Sequence, residues 1–149
     1  MTRQRLFLYL GGVLAAVLFV AFFKGLGAPS LLPFRAEEVE RVELYQFVVP
    51  AAAERKTVTD PAQVADVCRG LSAWAWPWQN PTYVGGATTS FRFYLKNGTT
   101  YELIYSEPRT LYRTDHGQCC TPTDLGAVWQ DCPAPAAPAA EDALPVISD

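Results

Sequence analysis

The chain has little of the material from which metal and hydrolytic sites are built. It contains one histidine, His116, and its four cysteines include no CxxC pair. Zinc sites usually draw their ligands from such pairs or from clustered histidines, so we expect no metal site. No serine lies in a G-x-S-x-G turn, and the composition around His116 is typical of a surface turn. The sequence therefore predicts no catalytic residue and no cofactor.

Positive charge is also scarce beyond the N-terminus. Three of the 12 basic residues precede Gly25 and none of the 15 acidic residues does, so the chain from Gly25 onward has a formal charge of −6. Nucleic acids and anionic lipid surfaces favour basic partners. The charge therefore argues against both as ligands.

Long apolar runs are absent except for one, Leu6–Phe23, which holds eighteen uncharged residues. At ~1.5 Å per residue it would span roughly 27 Å, close to the hydrocarbon core of a bilayer. Arg3 and Arg5 precede the run and only Lys24 follows it. This excess of positive charge at the N-terminal end favours a cytoplasmic N-terminus. We therefore expect a single-pass signal anchor in the cell membrane with an extracytoplasmic C-terminal domain. The alternative is a signal peptide cleaved near Gly25–Gly27.

Composition divides the chain into four parts. Residues 1–24 form the predicted anchor, and residues 25–34, rich in Gly and Pro, are predicted to be a linker. Residues 35–132 are long enough for one small domain. Residues 133–149 are rich in Pro and Ala with few large apolar side chains, which predicts a disordered tail.

All four cysteines follow the predicted anchor, at positions 68, 119, 120 and 132. An even number of cysteines in an exported domain indicates disulfides. Adjacent cysteines rarely pair because the ring strains the peptide between them. We expect Cys68 to pair with either Cys119 or Cys120, and Cys132 with the other. A thiol–disulfide enzyme using Cys119 and Cys120 is an alternative, since both precede a predicted helix, but the spacing is not that of a catalytic pair.

The pattern of the domain predicts an α+β fold with a mainly antiparallel sheet, one packed helix and a short C-terminal helix. Asp60 and Pro61 mark a helix start, with Val64, Val67, Cys68 and Leu71 as one apolar stripe. The predicted elements are strands at 38–49, 56–59 and 111–113, a hairpin over 87–106 turning at Asn97-Gly98, and helices from 60 to about 72 and from 121 to 132.

Three segments carry a likeness to known proteins: VELYQF at 42–47, TVTDPAQVADV at 57–67 and FRFYLKNGTTYEL at 91–103. In these the chain resembles small exported domains of uncharacterised membrane-anchored proteins and lipoproteins in Gram-positive bacteria. The resemblance implies the fold. It implies no activity, because such families have no established one.

Two groups of side chains are candidates for function. Trp74, Trp76, Trp78 and Tyr83 lie in a Pro-containing segment and could stack on sugar rings or form a protein interface. The alternative is that they close one end of a small core. The acidic residues at 37, 38, 40 and 43 lack the spacing of a calcium loop and predict a solvated face.

The sequence thus predicts a membrane-anchored, non-enzymatic binding or sensing domain outside the cytoplasm. Its expected partners are the membrane itself and a protein or a glycan, with no nucleic acid. A thiol–disulfide enzyme or a small hydrolase of the cell envelope using His116, or a structural accessory of a membrane complex, is the alternative function.

Overall fold

A computed structural model describes residues 12, 14, 31–72, 87–106, 110–113, 117–121 and 123–145. In this part of the chain no helix is both long and apolar enough to cross a membrane. The predicted anchor lies outside the described residues except at Gly12 and Leu14, which are helical.

The described residues form an α+β structure in which one antiparallel sheet is covered by two helices. Its elements, in chain order, are β1 (Val39–Phe47), β2 (Glu54–Val58), α1 (Pro61–Gly70), β3 (Thr88–Leu95), β4 (Thr100–Ser106), β5 (Thr110–Arg113), β6 (Gly117–Cys120), α2 (Gly126–Asp131) and β7 (Ala137–Pro138). The order across the sheet is β6-β5-β4-β3-β1-β2-β7. The predicted fold class is confirmed for the described residues.

Strand β1 is central, as its apolar composition predicts, with β3 on one side and β2 on the other. Because successive side chains alternate between the two faces of a sheet, Val42 and Leu44 lie on one face, and both are fully buried. Helices α1 and α2 cover this face, called the core face below. Glu43 and Tyr45 lie on the opposite face, called the second face.

Helix α1 begins as its sequence predicts. The side chain of Asp60 accepts a hydrogen bond of 3.0 Å from the backbone N–H of Gln63, and Pro61 occupies the first turn. Val64, Val67 and Leu71 are buried against the sheet, and Cys68 packs beside them. The predicted apolar stripe is therefore confirmed.

The β3–β4 hairpin is also confirmed, but its turn is longer than the two residues predicted. Gly98 donates its N–H to the carbonyl of Leu95 at 2.9 Å, and Leu95 pairs with Thr99, which leaves a three-residue loop. Gly98 has φ +84°, the left-handed conformation that such loops place after a tight turn. The side-chain oxygen of Asn97 accepts a hydrogen bond of 2.9 Å from the backbone N–H of Thr99.

The second helix starts later than predicted, at Gly126 rather than near Thr121. The side chain of Thr121 caps a local turn by accepting the N–H of Thr123, and Asp124 does the same for Gly126. These capping residues therefore stabilise the loop ahead of α2. Residues 117–120, for which no strand was predicted, form β6 beside β5.

The described structure extends beyond residues 35–132 at the N-terminal end. Leu31 and Leu32 are buried in the core, although the Gly and Pro content predicts a linker over 25–34. Phe34 packs against Phe93 and Tyr101, with ring centroids 5.1 Å and 5.3 Å apart. The hydroxyl of Tyr101 donates to the carbonyl of Leu31 at 2.9 Å, so these residues belong to the domain.

The predicted disorder of residues 133–149 is wrong for residues 133–145. Ala137 and Pro138 pair with β2, and Ala139 donates its N–H to the carbonyl of Ala53 at 2.9 Å. Leu144 is buried against Tyr45 on the second face. The segment has no core of its own. Its backbone instead forms hydrogen bonds with the edge of β2, and its one large apolar side chain, that of Leu144, is buried on the second face.

Candidate functional site

The predicted binding residues Trp74, Trp76, Trp78 and Tyr83 lie outside the described residues, and so does His116. Their roles stay predictions.

Two of the four cysteines are described with their side chains, Cys68, half-buried on α1, and Cys132, buried at the end of α2, and no disulfide joins these two. Cys119 and Cys120 pair through their backbones with Leu111 and Thr110, and their side chains are outside the described set. The predicted disulfides therefore stay a prediction.

The environment of Cys68 suppresses thiol reactivity. Burial, reinforced by the negative charge of Glu37, raises the pKa of Cys68 from 9.0 to about 11. A catalytic cysteine needs the opposite shift, because the thiolate is the nucleophile. Cys68 is therefore suited to packing rather than to thiol chemistry at neutral pH.

The predicted solvated acidic face is wrong for one of its four members. Glu37, Glu38 and Glu40 are exposed, but Glu43 is only 9% exposed on the second face. The carboxylate of Glu43 accepts hydrogen bonds from the hydroxyls of Tyr45 and Tyr94, at 2.7 Å and 3.0 Å. It therefore serves as the acceptor of a partly buried polar network.

Arg92 links this network to the C-terminal segment. Its guanidinium forms an ion pair of 3.0 Å with Glu102 and donates to the carbonyl of Ala143 at 2.9 Å. Burial, with the nearby carboxylate of Glu43, raises the pKa of Tyr45 to about 12. Among the described residues, no buried side-chain polar atom lacks a hydrogen-bond partner. The network therefore stabilises the sheet.

A groove opens on the other side of the molecule, between the 3₁₀ turn Ala36–Glu38, the start of β1 and the first turns of α1. It has a volume of about 220 Å³. Val39, Val64 and Ala65 form an apolar floor, and the two valines are buried. Exposed Glu37, Glu40 and Lys96 also line it, so the groove combines apolar surface with two carboxylates and one ammonium.

Local backbone geometry explains why Glu40 stands beside the groove. The β1–β3 register shifts between Val39 and Arg41, so Glu40 is the extra residue of a β-bulge. Beyond the bulge the ladder continues, because the backbone N–H of Lys96 donates to the carbonyl of Glu38 at 2.9 Å. The ammonium of Lys96 donates to the backbone carbonyl of Glu37 at 2.7 Å.

A smaller cleft of about 120 Å³ lies between α1 and α2. A Cβ added at Gly70 would lie 3.0 Å from Val128, so the two helices approach closely there. Buried Cys132 lines this cleft. Cys68 lies elsewhere on α1, near the carboxylate of Glu37. The cleft is too narrow for more than a few water molecules, at about 30 Å³ each.

The groove was missed from the sequence because its walls come from three separated segments. Glu37 and Glu40 were assigned to a solvated face, and Val64 to the core stripe, with nothing to connect them. The unbroken alternation around Val42 and Leu44 gave no sign of the bulge at Glu40.

Among the described residues, no group of three or more His, Cys, Asp or Glu side chains could hold a metal ion. No protein-family model, curated protein or solved structure matches the chain. Of the two clefts described above, the groove is the larger.

Proposed function

We propose that this protein is a membrane-anchored, extracytoplasmic binding or sensing domain without enzymatic activity. The observation that carries the proposal is the apolar run Leu6–Phe23, which precedes a folded, acidic domain with an open groove. In this proposal the run is an N-terminal transmembrane helix, and the basic residues Arg3 and Arg5 keep its start in the cytoplasm.

The chemistry of the described residues supports binding over catalysis. The buried carboxylate of Glu43 is held by two phenols, and the pKa of Cys68 is raised rather than lowered. Only groups whose pKa lies near the operating pH work well as general acids or bases. The exposed carboxylates of the groove rim are suited instead to recognition of a cationic or hydrogen-bonding ligand.

The location is tested with a protease added to intact cells that express the full chain with a C-terminal epitope tag. We expect loss of the tag without lysis, because the domain lies outside the cytoplasm. A cytoplasmic protein in the same cells serves as the control for membrane integrity. A tag that resists digestion until the cells are lysed would overturn the proposed orientation.

The predicted Trp-rich binding segment is tested by replacing Trp74, Trp76 and Trp78 with Ala together. If these side chains bind a partner, the triple variant keeps the stability of the parent chain while losing the partner. Trp129, which is 4% exposed in the core, provides the matched control. Trp129→Ala is expected to lower the unfolding free energy by about 3–5 kcal/mol. A triple variant as unstable as this control would assign the three indoles to the core.

A further inference from the structure

We propose that the groove between the 3₁₀ turn Ala36–Glu38 and α1 docks a lysine or arginine side chain from a basic segment of a partner protein. This inference rests on the proposed binding role and names the chemistry of the partner. It is carried by the size of the groove, its apolar floor and the charge on its rim.

The size of the groove suits one long side chain. Pockets for small organic ligands and cofactors usually measure roughly 300–1,000 Å³. The groove, at about 220 Å³, is below that range and is partly open to solvent. A segment of a partner can therefore lie across it and insert a single side chain, with its backbone remaining outside.

The distribution of polarity selects a side chain with an apolar stem and a cationic end. Val39, Val64 and Ala65 offer a surface for methylene groups, and Glu37 and Glu40 stand at the rim. Lysine and arginine place their stems on apolar surface while keeping the charged group at the polar edge. A wholly apolar side chain would leave both carboxylates without a partner, and an anionic side chain would meet two carboxylates against the single ammonium of Lys96.

The two rim carboxylates are available for a partner. Within the part of the chain that the structure describes, the side chain of neither Glu37 nor Glu40 takes part in an ion pair. Lys96 also lines the groove, but its ammonium donates to the backbone carbonyl of Glu37, so two carboxylates stand against one ammonium there. The formal charge of −6 beyond residue 24 adds long-range attraction for a basic partner.

The test uses the full chain in nanodiscs of phosphatidylcholine, which carry no net charge. The probe is the blocked peptide acetyl-Ala-Ala-Lys-Ala-Ala-amide, with the same peptide carrying norleucine in place of lysine as its uncharged control. Ligand-observed NMR reads the dissociation constant, because it detects millimolar affinities. We expect the lysine peptide to bind at least several-fold more tightly than the norleucine peptide.

Variants of the chain place the binding in the groove. Ala65→Met fills the groove with a good helix former and is expected to weaken binding tenfold or more. Ala62→Met, on an exposed part of the same helix outside the groove, is the matched control and should leave the affinity unchanged. Glu37→Gln and Glu40→Gln should each weaken binding about two- to fivefold, the usual effect of an exposed ion pair. Glu54→Gln, at an exposed carboxylate of β2, controls for diffuse attraction.

Three results would overturn the proposal: equal affinity for the two peptides, an unchanged affinity in Ala65→Met, or as large a loss in Glu54→Gln as in Glu37→Gln. Circular dichroism on each variant separates lost binding from lost folding. Failure of this test leaves the proposed location untouched, since the protease experiment measures that independently.

Discussion

Lys56 is predicted to stabilise the end of α2 through a pair of hydrogen bonds. Its ammonium donates to the backbone carbonyls of Trp129 and Cys132, each at 2.8 Å, and lies 4.8 Å from the centre of the Trp129 ring. The last carbonyls of a helix have no partner within it, and a cation there also interacts favourably with the helix dipole. Lys56 is thus a side chain of β2 that holds a helix 73 residues further along the chain.

Lys56→Met preserves most of the stem while removing the charge and both donors. A hydrogen bond to a charged group contributes about 1.5–3 kcal/mol, and two bonds from one ammonium add less than twice that value. Because Lys56 is only partly buried, water can reach the carbonyls in the variant and offset part of the loss. We therefore expect the unfolding free energy to fall by about 2–4 kcal/mol.

The measurement is denaturation by urea of the full chain in mild detergent, followed by far-ultraviolet circular dichroism. Lys96→Met is the matched control, since Lys96 is exposed and donates to a single carbonyl, that of Glu37. We expect the control to lose less than about 1 kcal/mol. If both variants lose the same small amount, the reasoning is refuted, and Lys56 does not hold α2 as described.

Three further predictions concern the C-terminal segment, the hairpin turn and the thiol of α1. Leu144→Ala should lower the unfolding free energy by about 1–3 kcal/mol, because Leu144 is 8% exposed but packs in a small cluster. Gly98→Ala should cost about 1–2 kcal/mol, because φ at Gly98 is +84°. With the pKa of Cys68 raised from 9.0 to about 11, its thiolate fraction at pH 8 falls roughly 100-fold. Alkylation by iodoacetamide at that pH should therefore be slower by about this factor in the folded, reduced chain than in urea.

Each of these has an outcome that contradicts it. Unchanged stability in Leu144→Ala would mean that residues 137–144 do not fold onto the second face. Gly98→Asn should cost less than Gly98→Ala, since Asn tolerates positive φ better, and a reversed order would contradict the turn geometry. Equal alkylation rates of Cys68 in the folded and unfolded chain would show that its thiol is not shielded.

The elements that could be predicted from the sequence are those whose signals are local. Asp60 and Pro61 start α1, and Val64, Val67 and Leu71 repeat at helical spacing, so a short window of sequence contains the information. The β3–β4 hairpin is equally local, because its strands alternate on both sides of an Asn-Gly pair. The length of its turn was not predictable, since it depends on which residues pair at the loop ends.

The candidate groove depends on contacts that no local pattern contains. Its floor joins Val39 at the start of β1 to Val64 and Ala65 on α1, and these come together only after the helix packs on the sheet. The same holds for Glu43, whose carboxylate accepts a hydrogen bond from the hydroxyl of Tyr94 on the neighbouring strand. Polar residues in a strand predict a solvated face only when nothing covers that face.

The C-terminal segment shows why composition misjudged the boundary of the domain. Low apolar content predicts disorder when a segment must form its own core. Residues 137–144 instead complete the second face of a sheet that is already folded, and Arg92 there needs an acceptor. Its guanidinium donates to the carbonyl of Ala143 while Glu102 neutralises its charge, so removal of the segment would leave a half-buried donor without that partner. The order of the segment therefore follows from what the folded sheet offers it, namely the edge of β2, cover for Leu144 and the donor of Arg92, rather than from a core of its own.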